Sequence, residues 1–513
     1  MIVGDETKSA VRGGPPGKAG GIPPGAGASA GIRVEKDLLG QAAVPRDAYY
    51  GLHALRASKN FAVSGVGIHP ELVRALALVK KAAALANIEI GLLDARRGTA
   101  IVQAAEELAE GRWRDQIIVD AFQGGAGTST NMNVNEVIAN RAIELLGGEK
   151  GDYTVVHPLD HVNLGQSTND VYPTALRVAA IALVRRLAEA TATLQGALQA
   201  KEKAFASVLK VGRTELQDAV PVTLGQEFGA WAEAVARDWW RLYKAEERLR
   251  QINLGGTAVG TGLNANRRYV YRVVEILREL TGYGLARAEN SFEATQNADV
   301  FSEVSGFLKT AAVNLAKIAG DLRLLSSGPR AGLGEIKLPE VQAGSSIMPG
   351  KVNPVIPEMV TQVAYQVMAN DFAISVAAAS GQLELNAFLP LVAHNLLQSL
   401  TMLTGAVEIF AAKCIEGIQA DEQRCRTLLE ASQGVITAFV PYIGYEKAAE
   451  IAAKAAVVRK PVTELLVEEG LFTREEVEKV TQPEELTTPG VAGARYFRQK
   501  QSGKRAGSGP DSN

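Results

Sequence analysis

The chain has only two cysteines in 513 residues, Cys414 and Cys425. That is too few for a disulfide framework and fits a reducing cytoplasm. No run of about 18 consecutive apolar residues appears, which argues against a transmembrane span. The N-terminus lacks an apolar signal core, which argues against export. There is no surplus of either charge, 54 basic residues standing against 56 acidic ones. Neither a nucleic acid nor an anionic membrane is therefore expected as a partner. Histidines number five, at His53, His69, His157, His161 and His394. No spacing among possible ligands resembles a dedicated metal site, so no metal is expected.

What the chain has in quantity is alanine and leucine, which with few aromatics suits close-packed helices. Leu176, Ala180, Leu183, Leu187, Ala190 and Leu194 recur at alternating spacings of four and three, and so do Leu308, Ala311, Leu315, Ile318, Leu322 and Leu325. Such seams call for helical neighbours at shallow crossing angles. Phe228, Trp231, Val235, Leu242, Leu249 and Ile252 mark a third long helix. Two more apolar helical runs lie at about residues 355–380 and 386–413.

The expected fold is mainly α, with a central bundle of long helices over 169–422 flanked by two smaller helical domains, 32–168 and 423–495. Short strands are expected near Gly31–Leu39. Thirteen of the first 31 residues are Gly or Pro, so 1–31 is read as a disordered tail. A second flexible tail is expected over 496–513. Segments Ala373–Ala379 and Leu391–Ala412 are apolar or small on more than one face, which calls for association with other copies of the chain.

One loop concentrates chemistry: Gly344-Ser345-Ser346-Ile347-Met348-Pro349-Gly350-Lys351-Val352-Asn353-Pro354. Its glycines and prolines let backbone approach a ligand closely. Lys351 offers a cation to a carboxylate, Asn353 a directed donor, and the serines hydroxyls. Three further segments carry neutral donors beside glycines or turns. They are Gly124 to Glu136 with Asn131, Asn133 and Asn135, Gly165 to Asp170, and Gly212 to Ala219. Alternation of the asparagines suits an extended or turning stretch more than a helix face. Arg213 and Asp218 read as a structural ion pair. Each of these three, alone, also reads as ordinary helix capping or turn chemistry.

Together, in this order and with flanks such as Asp47–Gly51, Gly260–Asn264 and Ser327–Leu333, the four segments resemble the fumarase/aspartase superfamily over about residues 32–495. These enzymes eliminate a group beta to a carboxylate and release fumarate. The resemblance implies a homotetramer whose active sites are shared between subunits. It also implies roles. Thr128, Ser167, Thr168 and Ser346 would hold the carboxylate that becomes an enediolate, while Thr214, Lys351 and Asn353 would grip the other. Ser345 would be the base that removes the proton, Asn169 would contact the leaving group, and Glu358 would support the site. A serine base is chemically reasonable only where loop amides and Lys351 stabilise its oxyanion. No histidine lies in the motif segments, which agrees with a serine.

The leaving group turns on Glu215. In fumarases that position is a histidine, which pairs with the glutamate matching Glu358. An anion there attracts an ammonium but offers a hydroxyl no comparable bond. A carboxylate that turned away to Arg213 or a backbone amide would carry no such meaning. Tyr50 to Leu55 also lacks the Trp-Gly-Ala-Gln-Thr-Gln run usual in fumarases. Leu159, in His157-Pro158-Leu159-Asp160-His161, replaces an asparagine of their second anion site, so His157 and Asp160 read as structural. L-aspartate, fumarate and ammonia are thus the expected substrate and products. The alternatives are a fumarate hydratase and a silent helical scaffold, the latter disfavoured by an intact residue set. No cofactor is expected, and activation by a divalent cation is left open.

Overall fold

The computed structural model describes residues 31–506. The tail expected before them, apart from Gly31, lies outside the described residues. An antiparallel hairpin opens the fold, β1 (Ile32–Asp37) with β2 (Gly40–Pro45). Helices α1 (Leu52–Asn60), α2 (Pro70–Glu89), α3 (Ala95–Ala109) and α4 (Thr128–Leu145) follow. Next come α5 (Thr168–Ala204), the hairpin β3 (Leu209–Thr214) and β4 (Gln217–Thr223), and α6 (Leu224–Leu249). A short parallel pair, β5 (Gln251–Ile252) and β6 (Ala286–Arg287), brackets α7 (Arg267–Thr281). After α8 (Ser291–Gln296) and α9 (Asp299–Leu325) comes β7 (Ile336–Lys337). The helices α10 (Val355–Ala379) and α11 (Leu389–Lys413) lead to β8 (Gln419–Ala420), which pairs with β7. The chain then forms α12 (Glu422–Ala431), α13 (Val440–Ile443), α14 (Tyr445–Val458), α15 (Val462–Glu468), α16 (Arg474–Val480), α17 (Pro483–Thr487) and α18 (Ala494–Ala506).

The bundle is a ring in which α5 packs on α6, α6 on α9, α9 on α10, α10 on α11, and α11 back on α5. All three expected seams are buried, those of α5 and α9 in full and that of α6 through Ile252. Polar contacts between helices give their directions. Asn253, just beyond α6, bonds to Asn169 at the start of α5, and Lys201 near the end of α5 bonds to Ile418 just beyond α11. Ser302 meets Ser375 and Arg323 meets Glu358, so α9 and α10 are antiparallel. With 37 residues in α5 and about 1.5 Å of rise for each, its two ends are roughly 55 Å apart.

On α10 one face stays uncovered within the chain. Tyr365, Ala369, Phe372, Val376 and Ala379 are all exposed, Phe372 to 73%. These residues fall at helical spacing, so they form one apolar stripe.

A second hydrophobic cluster, including Phe439, Ile451, Leu465, Leu466 and Val480, gathers α12 to α16, with Phe497 of α18 packed against it. Its extent corrects the expectation of a flexible tail from 496. Residues 494–506 are helical, because Phe497 packs 4.6 Å from Tyr442 and Lys500 pairs with Glu476 at 2.7 Å. Aromatic burial and an ion pair offset the ordering entropy that a polar composition suggests would be uncompensated. Residues 507–513 lie outside the described residues.

Leu308 is fully buried between ring neighbours. Leu308→Ala is expected to cost about 2–5 kcal/mol, read as a lowered urea midpoint; an unchanged midpoint would mean the seam can collapse around the lost side chain.

Candidate active site

Two of the four motif segments meet at the start of α5. Ser167 caps that helix, its Oγ accepting from Asn169 N at 3.2 Å, while Asp170 accepts from Ser167 N at 2.9 Å. Thr128 begins α4, with its Oγ1 donating to Gly125 O at 2.7 Å. Asn131, one turn on, donates to Thr168 Oγ1 at 3.1 Å. Asn169 donates to Ala258 O at 2.7 Å. Two helix N-termini thus face the same place, and each presents hydroxyls at a positive helix end. Gly127 allows their approach: it has φ +94°, and a Cβ there would lie 2.4 Å from the Tyr172 ring.

The asparagines differ from expectation. Asn131, Asn133 and Asn135 lie on a helix, α4, and all three are buried. Asn133 bonds to Gln116 O and accepts from Ile118 N, whereas Asn131 and Asn135 donate to Asn163 Oδ1. A helix enclosed on every side finds polar partners on more than one face, so an amphipathic period is absent from its sequence.

Beneath this cluster lies a residue the sequence reading missed. Lys80 is fully buried and donates to Asn163 Oδ1 at 2.8 Å and Gln166 Oε1 at 2.9 Å. Burial pulls its ammonium down to about 7, against the favourable charge of Asp170. Burial likewise pushes Asp170 up to about 6, opposed by the amides of Ser167, Thr257 and Gly255. A signal for Lys80 was present: it sits four residues from both Leu76 and Ala84, at a core position of α2. His157 is structural as expected, its Nδ1 accepting from the amides of Leu159 and Asp160.

The other predicted residues lie at the far end of the bundle. The 344–353 loop precedes α10 and is largely exposed, Ile347 to 84%. Within it Ser345 Oγ accepts from Met348 N at 2.9 Å and Ile347 N at 3.2 Å. Gly344 N donates to Lys351 O, and Asn353 Nδ2 donates to Gly344 O at 2.8 Å, closing the loop on itself. A Cβ at Gly344 would stand 2.6 Å from Lys351 O. Ser346 is exposed, and the Lys351 ammonium makes no ion pair among the described residues. Glu358 pairs with Arg323 at 3.7 Å.

Thr214 and Glu215 occupy the exposed tip of the β3–β4 hairpin. Glu215 and Leu216 both have positive φ, 53° and 61°. Among the described residues the Glu215 carboxylate bonds neither Arg213 nor a backbone amide. The expected Arg213–Asp218 pair does not form either. Those residues face each other in register, but the bulge between Val211 and Arg213 re-aims the guanidinium, which meets both Glu335 oxygens at 3.0 Å; bulges commonly redirect side chains in this way.

No hydrogen bond or ion pair among the described residues joins the Thr128/Thr168 end to the Ser345 or Thr214 segments. One chain brings these residues together in two groups separated by the length of α5. No three His, Cys, Asp or Glu side chains among the described residues are grouped to hold a metal.

Residues 40–369 match the family model described as Lyase, and residues 435–488 match the one described as Fumarase C C-terminus. The chain belongs to the fumarase/aspartase family of lyases. An aspartate ammonia-lyase from a Bacillus species is 51% identical over 464 residues, covering 90% of this chain and 99% of that protein. One from Helicobacter pylori strain 26695 is 47% identical, covering 89% and 98%. Among solved members of the family, fumarate lyase:delta crystallin from Brucella melitensis bound to cobalt superposes with a TM-score of 0.87 at 49% identity, covering 89% of this chain and 100% of that one. A class II fumarase from Schistosoma mansoni superposes at 0.85 with 36% identity, covering 89% and 99%. The mainly α, fumarase-like fold expected from the sequence is the fold observed.

Lys80 yields a pH prediction. Its folded pKa lies below the 10.5 of a free lysine, so between about pH 7 and 10 the unfolded chain holds a proton the folded chain lacks, and stability rises with pH there. Relative to Lys80→Met, the wild-type urea midpoint should therefore rise from about pH 7.5 to about pH 9.5. A difference that stays flat across that window would refute the assignment.

Proposed function

We propose that the chain is an aspartate ammonia-lyase, which removes ammonia from L-aspartate to give fumarate, reversibly and by anti-elimination. Ser345 carries the reading. Two loop amides already point at its Oγ, the setting in which an oxyanion becomes accessible, and Lys351 on the same loop is without an ion-pair partner to compete for an anion. In this reading Ser345 takes the Cβ proton, and the electron pair moves into the adjacent carboxylate as an enediolate. Collapse of the enediolate forms the carbon–carbon double bond and breaks the Cα–N bond. Thr128, Ser167, Thr168 and Ser346 hold the carboxylate that gains charge. Thr214, Lys351 and Asn353 hold the other, and Asn169 and Glu215 face the ammonium, with Glu358 in support.

Ammonia rather than water as leaving group is supported by Glu215, an unpaired carboxylate at a turn tip. It is supported also by the higher identity to aspartate ammonia-lyases than to the solved class II fumarase. The chemistry uses no cofactor, and a divalent cation would enter only as an activator. Two buried, unpaired cysteines suit work in a reducing cytoplasm.

The proposed enzyme is a homotetramer with sites shared between subunits. Two groups of site residues roughly 55 Å apart meet only if different copies supply them, and the apolar stripe on α10 offers a surface to cover in that assembly.

Purified protein should release fumarate from L-aspartate with matching ammonia and none from L-malate, followed by ultraviolet absorbance; malate turnover alone would make it a hydratase. Ser345→Ala should lose nearly all turnover with the assembly intact, and near-normal turnover would remove Ser345 from the base role. Thr168→Val and Ser345→Ala, each inactive, should recover partial activity when co-refolded, since some sites then draw both intact groups from different copies. No recovery would contradict shared sites.

A further inference from the structure

A four-charge cluster with two fully buried members lies beside the Thr214–Glu215 turn and has no part in the chemistry above. Glu335 is 0% exposed and Lys210 1%. Lys210 Nζ reaches Glu227 Oε1 at 2.7 Å and Glu335 Oε2 at 3.3 Å. Arg213 Nη1 meets both oxygens of Glu335 at 3.0 Å. Two cations thus face two carboxylates, with Lys210 and Glu335 enclosed and Arg213 and Glu227 partly exposed. Burying such groups costs as much as their attraction returns, and apolar residues of similar volume would hold the same space at least as well. Stability alone does not account for the cluster.

Its position does. The Glu335 backbone donates to Leu325 O at the end of α9 and accepts from Asp421 N before α12. Its side chain binds the β3 strand, and Lys210 ties that strand onward to Glu227 of α6. Ten residues beyond Glu335 the chain reaches Ser345. One carboxylate therefore joins the hairpin that carries Thr214 and Glu215 to the segment that leads into the Ser345 loop. The turn itself needs such an anchor. Glu215 and Leu216 both sit in the left-handed region, where hairpin turns favour Asn-Gly. Two non-glycine residues stay there only when their surroundings over-determine the conformation. Arg213 is the residue next to Thr214, and its Nη1 alone reaches both Glu335 oxygens at 3.0 Å, so the length and planarity of its side chain set how far the strand end stands from that carboxylate.

We infer that Arg213, locked onto Glu335, is a positioning residue for substrate binding: it holds the Thr214–Glu215 turn in the conformation that grips the substrate's second carboxylate and its ammonium. The inference rests on the lyase reading above and adds to it a residue that touches no substrate.

The test is steady-state kinetics of the full-length enzyme with L-aspartate, comparing wild type, Arg213→Lys, Thr214→Ala and the double variant. Lysine keeps the charge but loses the length and planarity that carry Nη1 to both Glu335 oxygens. Arg213→Lys should raise KM by about tenfold with kcat changed less than about threefold, the pattern of lost uniform binding. In the Thr214→Ala background the same change should add little, since the turn's main contact is already gone. A purely structural role would lower the unfolding midpoint and leave KM alone. Wild-type KM in Arg213→Lys, or full multiplication of the two effects in the double variant, would overturn the inference. Should wild type turn over L-malate instead, the aspartase reading fails by itself, and the same four proteins decide the inference on malate. A wild type that neither turns over nor binds fumarate by calorimetry would sink both.

Discussion

Length governs this molecule. A 37-residue helix buried along most of its course must be flanked by partners of similar length, and the ring of α6, α9, α10 and α11 supplies them. The seams that make this ring are ordinary hydrophobic contacts at alternating three- and four-residue spacings. Their consequence reaches the chemistry. Loops can join such helices only at the two ends of the bundle, so every segment rich in hydroxyls, amides and charge collects at one end or the other. The division of the candidate site into two distant groups follows from that, as does the requirement for several copies in the proposed enzyme.

The two ends differ in physical character. At the start of α5, asparagines, Lys80 and Asp170 are enclosed, Lys80, Asn131 and Asn135 sharing Asn163 Oδ1 while Asn131 Oδ1 and Asn135 Oδ1 find no partner among the described residues, so the Thr128–Thr168 surface rests on a polar floor. At the other end the Ser345 loop and the Glu215 turn are exposed within one chain, their conformations held by local bonds: the Ser345 Oγ to two amides, Asn353 to Gly344, Arg213 to Glu335. Exposure there fits surfaces that a neighbouring copy would cover.

Where sequence reasoning succeeded, the signal was local or periodic. The seams of α5, α6 and α9 announced themselves by spacing, and the Ser345 loop by its density of Gly, Pro and hydrogen-bonding groups. Where it failed, burial had removed the signal or distance had hidden it. Asn131, Asn133 and Asn135 alternate like a strand, yet belong to a helix whose surroundings are polar on several sides. Arg213 and Asp218 are neighbours across a hairpin, yet a single bulge sends Arg213 to a residue more than a hundred positions away. The segment from 496 reads as polar and loose, yet Phe497 and Lys500 find partners in the C-terminal cluster.

By itself the sequence determined the helical class, the positions of the long helices, the motif segments and the family they resemble, because each depends on spacing along the chain. Only the tertiary structure decided that Lys80 lies beneath the Thr168 end, that Glu335 captures Arg213, and that the candidate site residues of one chain stand a helix length apart. Those facts depend on which distant segments share an interior, and burial sets their charges and partners after the chain has folded.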